Sequence, residues 1–148
     1  MRMEEMIEEL ETKEAIADVL DRFSPYLQSL SSGMVDRGKL AEKFSKYARV
    51  ISIKANGQIM GFAGFYCNDD KDKNAYLSLI AVDPKYRKRG IGKSLLEEVV
   101  EQSKSAGMER LVLEVRKSNM VAIKFYEKLG FVYIDKSSKN TLFLSKVI

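Results

Sequence analysis

Apolar positions along the 148-residue chain change their period twice, from helical spacing to strand-like runs and then to an alternation of the two. Over residues 3–23, Met6, Ile7, Leu10, Ile16, Ala17 and Leu20 recur at broadly helical intervals, and Pro25 stands just beyond. This predicts one or two helices there. The segment SPYLQSLSSGM reads as a loop or short helix, and DRGKLAEKFSKY presents Leu40, Phe44 and Tyr47 as a further helical face. ARVISIKANGQIMGFAGFYCN then holds two β-rich runs joined by Asn56-Gly57, a dipeptide that tolerates the positive φ angles of a tight hairpin turn. After the polar loop NDDKDKN, AYLSLIAV is apolar at nearly every position, as in a central strand covered on both faces.

The second half alternates. A helix beginning near Gly90 carries Ile91, Leu95, Leu96, Val99 and Val100 inward and stops at Gly107. ERLVLEV follows as a strand, and SNMVAIKFYEKLG as a helix with Ser118 as its expected N-cap and Gly130 as its stop. FVYID and NTLFLSKVI form an expected antiparallel pair. No internal repeat, low-complexity tract or linker interrupts the pattern, so the expectation is an α/β fold in a single domain over 1–148, with a helical N-terminus at about 1–47.

Composition narrows the chemistry. The chain has no histidine, which excludes Ser-His-Asp and Cys-His catalysis and histidine metal sites. Its one cysteine, Cys67, makes neither an internal disulfide nor a cysteine-rich zinc site, and no metal is expected. The acidic, amphipathic N-terminus lacks the apolar run of a signal peptide, and no stretch has the length of a membrane span; a cytoplasmic protein without membrane partners is the expectation. The net charge of +4 conceals an acidic start and a basic cluster at 85–93. Only Tyr86 stands near that cluster, which argues against a nucleic-acid groove with interleaved stacking aromatics.

A buried strand, a loop holding Gly90 and Gly92, and a helix N-terminus together make an anion site, because backbone N–H groups and the helix dipole point outward. The two glycines let the backbone approach an oxygen-rich group, and Arg87, Arg89 and Lys93 add full charges suited to a pyrophosphate. The spacing matches neither G-x-x-x-x-G-K-[ST] nor G-x-G-x-x-G.

These residues carry a resemblance. IAVDPKYRKRGIGKSLL resembles the cofactor motif of the GNAT superfamily of acetyl-CoA-dependent N-acyltransferases, [QR]-x-x-G-x-[GA], here Arg87-Lys88-Arg89-Gly90-Ile91-Gly92. LEVRKSNMVAIKFYEKLGF resembles that family's next strand and helix, with an Asn followed seven residues later by a Tyr. The resemblance implies a mixed, mostly antiparallel sheet splayed in the middle, with helices on both faces and acetyl-CoA in the cleft. It implies that the main chain of Ile80, Ala81 and Val82 pairs with the pantetheine arm, that residues from Lys88 to Lys93 wrap the pyrophosphate, and that Asn119 contacts the pantetheine. It places Tyr126 near the sulfur, as proton donor to the departing thiolate, and Glu114 as general base for an amine acceptor. Members of the family commonly open with a short strand, whereas MRMEEMIEELETKEAIADVL reads as helix, which leaves open whether that first strand is present, missing or replaced.

Plainer roles stay open beside these. Tyr126 also suits a core aromatic beside Phe125, Asn119 a helix first turn, Glu114 an ion pair with Arg116, and Cys67 a small residue at a strand end. The expected partners are acetyl-CoA and a primary amine, a small molecule before a peptide or protein N-terminus. A catalytically silent acyl-CoA sensor and a basic nucleic-acid-binding module are the alternatives, and a homodimer is left open.

Overall fold

Residues 5–27, 35–134 and 138–148 are described in the computed structural model of the chain. The order of elements is β1 (Glu5–Glu9), α1 (Lys13–Phe23), a 3-10 turn (Ser24–Tyr26), α2 (Arg37–Tyr47), β2 (Arg49–Ala55), β3 (Gln58–Tyr66), β4 (Asn74–Val82), a 3-10 turn (Pro84–Tyr86), α3 (Ile91–Ser105), β5 (Arg110–Arg116), α4 (Met120–Lys128), β6 (Val132–Ile134) and β7 (Thr141–Val147). The strands form one sheet in the order β1-β2-β3-β4-β5-β7-β6. Every neighbouring pair is antiparallel except β4 with β5. This is the mixed, mostly antiparallel sheet that the sequence leads one to expect.

The helices divide between the two faces. Ile16, Val19, Leu20 and Phe23 of α1 and Ala41 and Phe44 of α2 pack with Val50, Phe62 and Ala81 on one face. Leu95, Leu96 and Val99 of α3 and Ile123 and Tyr126 of α4 pack with Ile51, Ile53, Phe65, Leu77, Leu111, Leu113 and Val115 on the other. With both faces covered, the central strands need apolar residues at successive positions, which explains the unbroken run in β3 and β4. The hairpin forms at Asn56 (φ 52°) and Gly57 (φ 76°), both left-handed as a primed turn requires.

The N-terminus departs from expectation. Residues 5–9 are a strand and not the first turns of a helix, and the chain therefore does possess a first strand. Every residue of β1 is exposed, so no alternation of buried and exposed positions marks it. Its structure comes from backbone pairing with β2, from Glu5 opposite Ala55 to Glu9 opposite Ile51. The helix starts later because Thr12 Oγ1 accepts a hydrogen bond from the Ala15 amide at 3.1 Å and caps it. In the segment from 24 to 34, the 3-10 turn agrees with a short helix; residues 28–34 lie outside the described residues, as do residues 3 and 4 of the expected helix and Asp135 of the expected FVYID strand.

β4 is the strand that shapes the molecule. It pairs with β5 only from Asn74 opposite Arg110 to Leu77 opposite Leu113. Against β3, Gly64 faces Leu79 and Phe65 faces Leu77, so Ser78 is an extra residue, a bulge. The bulge shifts the parity of the strand. Ala75 and Leu77 point to the α3/α4 core, and so do Ile80 and Val82 beyond the bulge. α3 lies close to the sheet there because β3 offers Gly61, where a Cβ would stand 2.8 Å from the Ala81 carbonyl oxygen and 3.1 Å from Leu95.

Gly61→Ala is accordingly expected to destabilise the fold by about 1–3 kcal/mol, the usual cost of forcing extra volume into a packed interior. Urea denaturation of the two proteins measures it. An unchanged midpoint would mean that β3 and β4 separate without strain.

Candidate active site

Beyond Leu77 and Leu113, β4 and β5 part. Residues 78–82 have β3 on one side and no strand on the other, while Glu114, Val115 and Arg116 pair only with β7, opposite Phe143, Leu142 and Thr141. The backbone N–H and C=O groups of Ile80 and Val82 point to the β5 side and border an opening in the middle of the sheet, while those of Ala81, between them, are turned to β3. Such groups require a partner. An extended chain with amide groups fits this edge as an added strand would.

The opening is bounded at its mouth by the loop into α3. Lys88 (φ 64°) and Gly90 (φ 75°) both take left-handed backbone, which folds residues 87–90 into a tight cup ahead of the helix. Gly90 is the N-cap of α3 and provides no side-chain cap, leaving first-turn N–H groups without one. Arg87, Lys88, Arg89 and Lys93 are exposed around it. The Arg89 guanidinium stands 5.5 Å from the centre of the Tyr86 ring, on which Lys85 Nζ also converges. Ile91 is instead 2% exposed, so its side chain belongs to the core and only its backbone faces the mouth.

The two glycines have different physical reasons. A Cβ on Gly90 would meet nothing within 4 Å, and its need is conformational. A Cβ on Gly92 would lie 3.4 Å from Phe125 Cζ and 3.8 Å from Val82 Cγ2. Gly92 therefore lets the start of α3, the end of β4 and the side of α4 converge, and its space is taken up by the protein's own side chains.

α4 contributes Asn119 and Tyr126. Asn119, not Ser118, is the N-cap: its Oδ1 accepts a hydrogen bond from the Ala122 amide at 3.1 Å. The cap falls one residue later than expected because Asn119 has the extended-side ψ of 73° and a side chain able to reach the third residue on. Asn119 is exposed, and the cap engages its Oδ1 and not its amide NH2. Tyr126 is 7% exposed and stacks edge-on with Phe125 and Phe131. Burial pushes its phenol up to about 12. Its hydroxyl makes no hydrogen bond among the described residues.

Glu114 lies on the other face of the sheet. Leu111, Leu113 and Val115 point into the α3/α4 core, so the alternation of β5 directs Glu114 toward the side of α1 and α2. Its Oε2 accepts a hydrogen bond from Thr141 Oγ1. No ion pair with Arg116 occurs among the described residues. Tyr76 shares that face, opposite Tyr66 on β3 and Val112 on β5. Burial first, then the charge of Glu114, holds the Tyr76 phenol above its ordinary value, which makes the two residues electrostatic neighbours. Sequence reading passed over Tyr76 as one more apolar position of AYLSLIAV; a hydroxyl at the start of an otherwise apolar strand was the available signal. Cys67 sits at the end of β3 with Sγ 3.5 Å from Ser103 Oγ, away from this constellation. The described residues contain no cluster fit to hold a metal ion.

The structure thus gathers Val82, the 87–93 loop, Gly92 and α4 on one face, and separates Glu114 from them by the thickness of the sheet. The gap between β4 and β5 is what joins the two faces.

Known proteins share this fold. The chain is 43% identical over 79 residues to the [ribosomal protein bS18]-alanine N-acetyltransferase of Escherichia coli (strain K12), an alignment covering 53% of this chain and 51% of that protein. The chain spans about half the length of the curated relatives it matches. The crystal structure of the ribosomal-protein-S18-alanine N-acetyltransferase from Escherichia coli superposes with a TM-score of 0.79 at 24% identity, over 98% of this chain and 94% of that one. An acetyltransferase of Bacillus anthracis str. Ames, solved in complex with acetyl coenzyme A, superposes with a TM-score of 0.62 at 28% identity, over 69% of this chain and 63% of that one. Residues 6–131 match the sequence model of the acetyltransferase (GNAT) family, and the chain belongs to that family.

Proposed function

We propose that the chain is an acetyl-CoA-dependent N-acetyltransferase that moves the acetyl group directly to a primary amine. The observation that carries this reading is the parting of β4 from β5 beside a glycine-containing loop at a helix N-terminus. One provides an edge for the amide-bearing pantetheine arm, and the other a seat for the diphosphate. In this reading Ile80 and Val82 pair with the arm through their backbone while Ala81, between them, keeps its pairing with β3, residues 87–93 enclose the diphosphate, and Asn119 offers its free NH2 to the arm. The acetyl-CoA complex of the Bacillus anthracis relative supports the same ligand.

The reaction joins the amine nitrogen to the thioester carbonyl carbon and breaks the C–S bond. Glu114, on the α1/α2 face, accepts the proton that the amine must lose, directly or through water, while Tyr76 beside it helps to enclose the acceptor. Backbone N–H groups near Val82 polarise the carbonyl oxygen. Tyr126, on the opposite face, donates to sulfur as it departs. Its phenol, pushed up to about 12, stays protonated at neutral pH, but full transfer to a thiolate whose acid has a pKa of about 8.5 runs uphill. Tyr126 therefore acts mainly by hydrogen bonding to the developing negative charge. Among acceptors, a peptide α-amino group stands first to be tried, because the Escherichia coli relative acts on an alanine; small amines, amino sugars and polyamines follow.

Release of free thiol from acetyl-CoA, screened over such a panel, tests the function. Acetyl-CoA binding without turnover on any amine would favour the acyl-CoA sensor instead.

With an acceptor in hand, Tyr126→Phe is expected to lower kcat by about ten- to hundredfold, the worth of one hydrogen bond to a charged group, with acetyl-CoA affinity kept. Full activity would reduce Tyr126 to a packing residue. Glu114→Gln should lose most at low pH and recover as pH rises and the amine becomes neutral unaided. A loss that does not vary with pH would mean that Glu114 orients the acceptor or supports β5.

The buried phenol also has a consequence for stability. A folded value raised from about 10 to about 12 contributes stability that is fully present below about pH 10 and is lost as pH rises toward 12, at about 1.4 kcal/mol per pH unit. Urea denaturation at about pH 9 and about pH 11.5 should show a loss that Tyr126→Phe reduces. Equal losses in both proteins would contradict this assignment.

A further inference from the structure

Asp83 follows β4 directly and is the point where the strand, the phosphate loop and α1 meet. Its backbone N–H donates to the Met60 carbonyl at 2.8 Å, continuing the attachment to β3. Its Oδ1 accepts from the Lys85 amide at 2.9 Å and caps the 3-10 turn. Its Oδ2 accepts from the Arg22 guanidinium at 3.1 Å. The Asp83 side chain is only 12% exposed, against 38% for Arg22. Arg22 also lies over the ring of Phe23, 4.9 Å from its centre, and Phe23 is fully buried against Phe62. The donor is thus fixed to the core before it reaches Asp83. Because α1 packs on the opposite face of the sheet from α3, this contact spans the end of β4 from one face to the other.

The loop it holds is one that would not hold itself. Lys85, Arg87, Lys88, Arg89 and Lys93 place positive charges within a few residues of each other, so the folded cup repels itself until an anion arrives. Lys88 is left-handed without being a glycine, a conformation that costs about 1–2 kcal/mol. A cup with such terms against it needs anchoring at both ends. α3 anchors the far end; at the near end the hydroxyl of Tyr86 reaches Gln58 Oε1 at 3.0 Å in the exposed hairpin, and Asp83 supplies the buried attachment.

We propose that Arg22 and Asp83 form a positioning pair for acetyl-CoA, in which Arg22 on α1 holds the Asp83 carboxylate and so keeps the Pro84–Gly90 loop in its ligand-ready shape. The role rests on the acetyl-CoA reading above. Neither residue touches the reacting atoms; both act through the loop backbone, and ligand affinity depends on loop shape because an unordered loop must be ordered on binding. The same pair makes α1, on the acceptor side, part of the acetyl-CoA site.

Calorimetric titration of acetyl-CoA into wild-type protein, R22M, R22K, D83N and R22M/D83N tests it. D83N retains an acceptor for the Lys85 amide and turns toward Arg22 an amide NH2, which cannot accept from the guanidinium. R22M and D83N are each expected to weaken binding by about tenfold, R22K by distinctly less, and the double variant by no more than about either single one. D21N, which breaks the exposed Asp21–Arg37 pair at 2.8 Å between α1 and α2, should bind as wild type does. Hydrogen exchange at the Lys85 amide, measured without ligand, should quicken in R22M and D83N. It decides the matter through D83N and R22K if R22M does not fold. Unchanged affinity in R22M or D83N, an equal loss in D21N, or R22K no better than R22M would overturn the pairing. Wild-type protein that fails to bind acetyl-CoA would instead overturn the proposed function, and this role with it.

Discussion

The parting of β4 from β5 after four paired positions is the constraint from which the rest of the structure follows. A parallel pair buried between two helical layers ordinarily runs its full length, because each unpaired backbone group in the interior costs free energy. Here the Ser78 bulge bends β4 away and resets its parity, so that Ile80 and Val82 still face the α3/α4 core while their main chain turns toward an opening. The sheet stays intact through β3 on one side and β7 on the other. Within the interior of the sheet, the absence of pairing is confined to the facing sides of β4 beyond Leu77 and β5 beyond Leu113.

Close approach follows from the same constraint. For α3 to reach the end of β4, Gly61 must admit it to the sheet, and for α4 to meet both, Gly92 must leave room for Phe125. The two carry different burdens from Gly90, whose left-handed backbone turns the loop into the helix. The acidic and phenolic groups then divide between the faces: Glu114 and Tyr76 on the side of α1 and α2, Tyr126 on the side of α3 and α4. Groups on the two faces can reach one another only through the opening, so the splay is what places them around a common space.

Much of this was legible from residue order. The Asn56-Gly57 hairpin, the buried run of β4, the glycine-limited α3 and the antiparallel closing strands each carry a local signature, because turn geometry, helix capping and burial act over a few residues. What misled was β1. Met6, Ile7 and Leu10 fit a helix as well as a strand, and a strand exposed along its whole length has no alternation to betray it; its pairing partner lies more than forty residues away, from Ile51 to Ala55. Asn119 and Ser118 differ as caps only by where the backbone turns, and Arg22 and Asp83 are separated by 61 residues. Tyr76 acquires significance only when Glu114 is beside it.

The sequence by itself determined the family, the kinds of element and the basic glycine loop, since these rest on local periodicity, on backbone freedom and on the absence of histidine as a competing base. Tertiary structure alone decided that the first segment is a strand, which face of the sheet each candidate side chain occupies, and that Gly92 makes room for a side chain of α4. It decided, too, that the basic glycine loop is tied to α1 through Arg22 and Asp83. These outcomes depend on pairing, parity and contact between segments far apart in the chain, and a one-residue bulge is enough to reverse the face that a side chain takes.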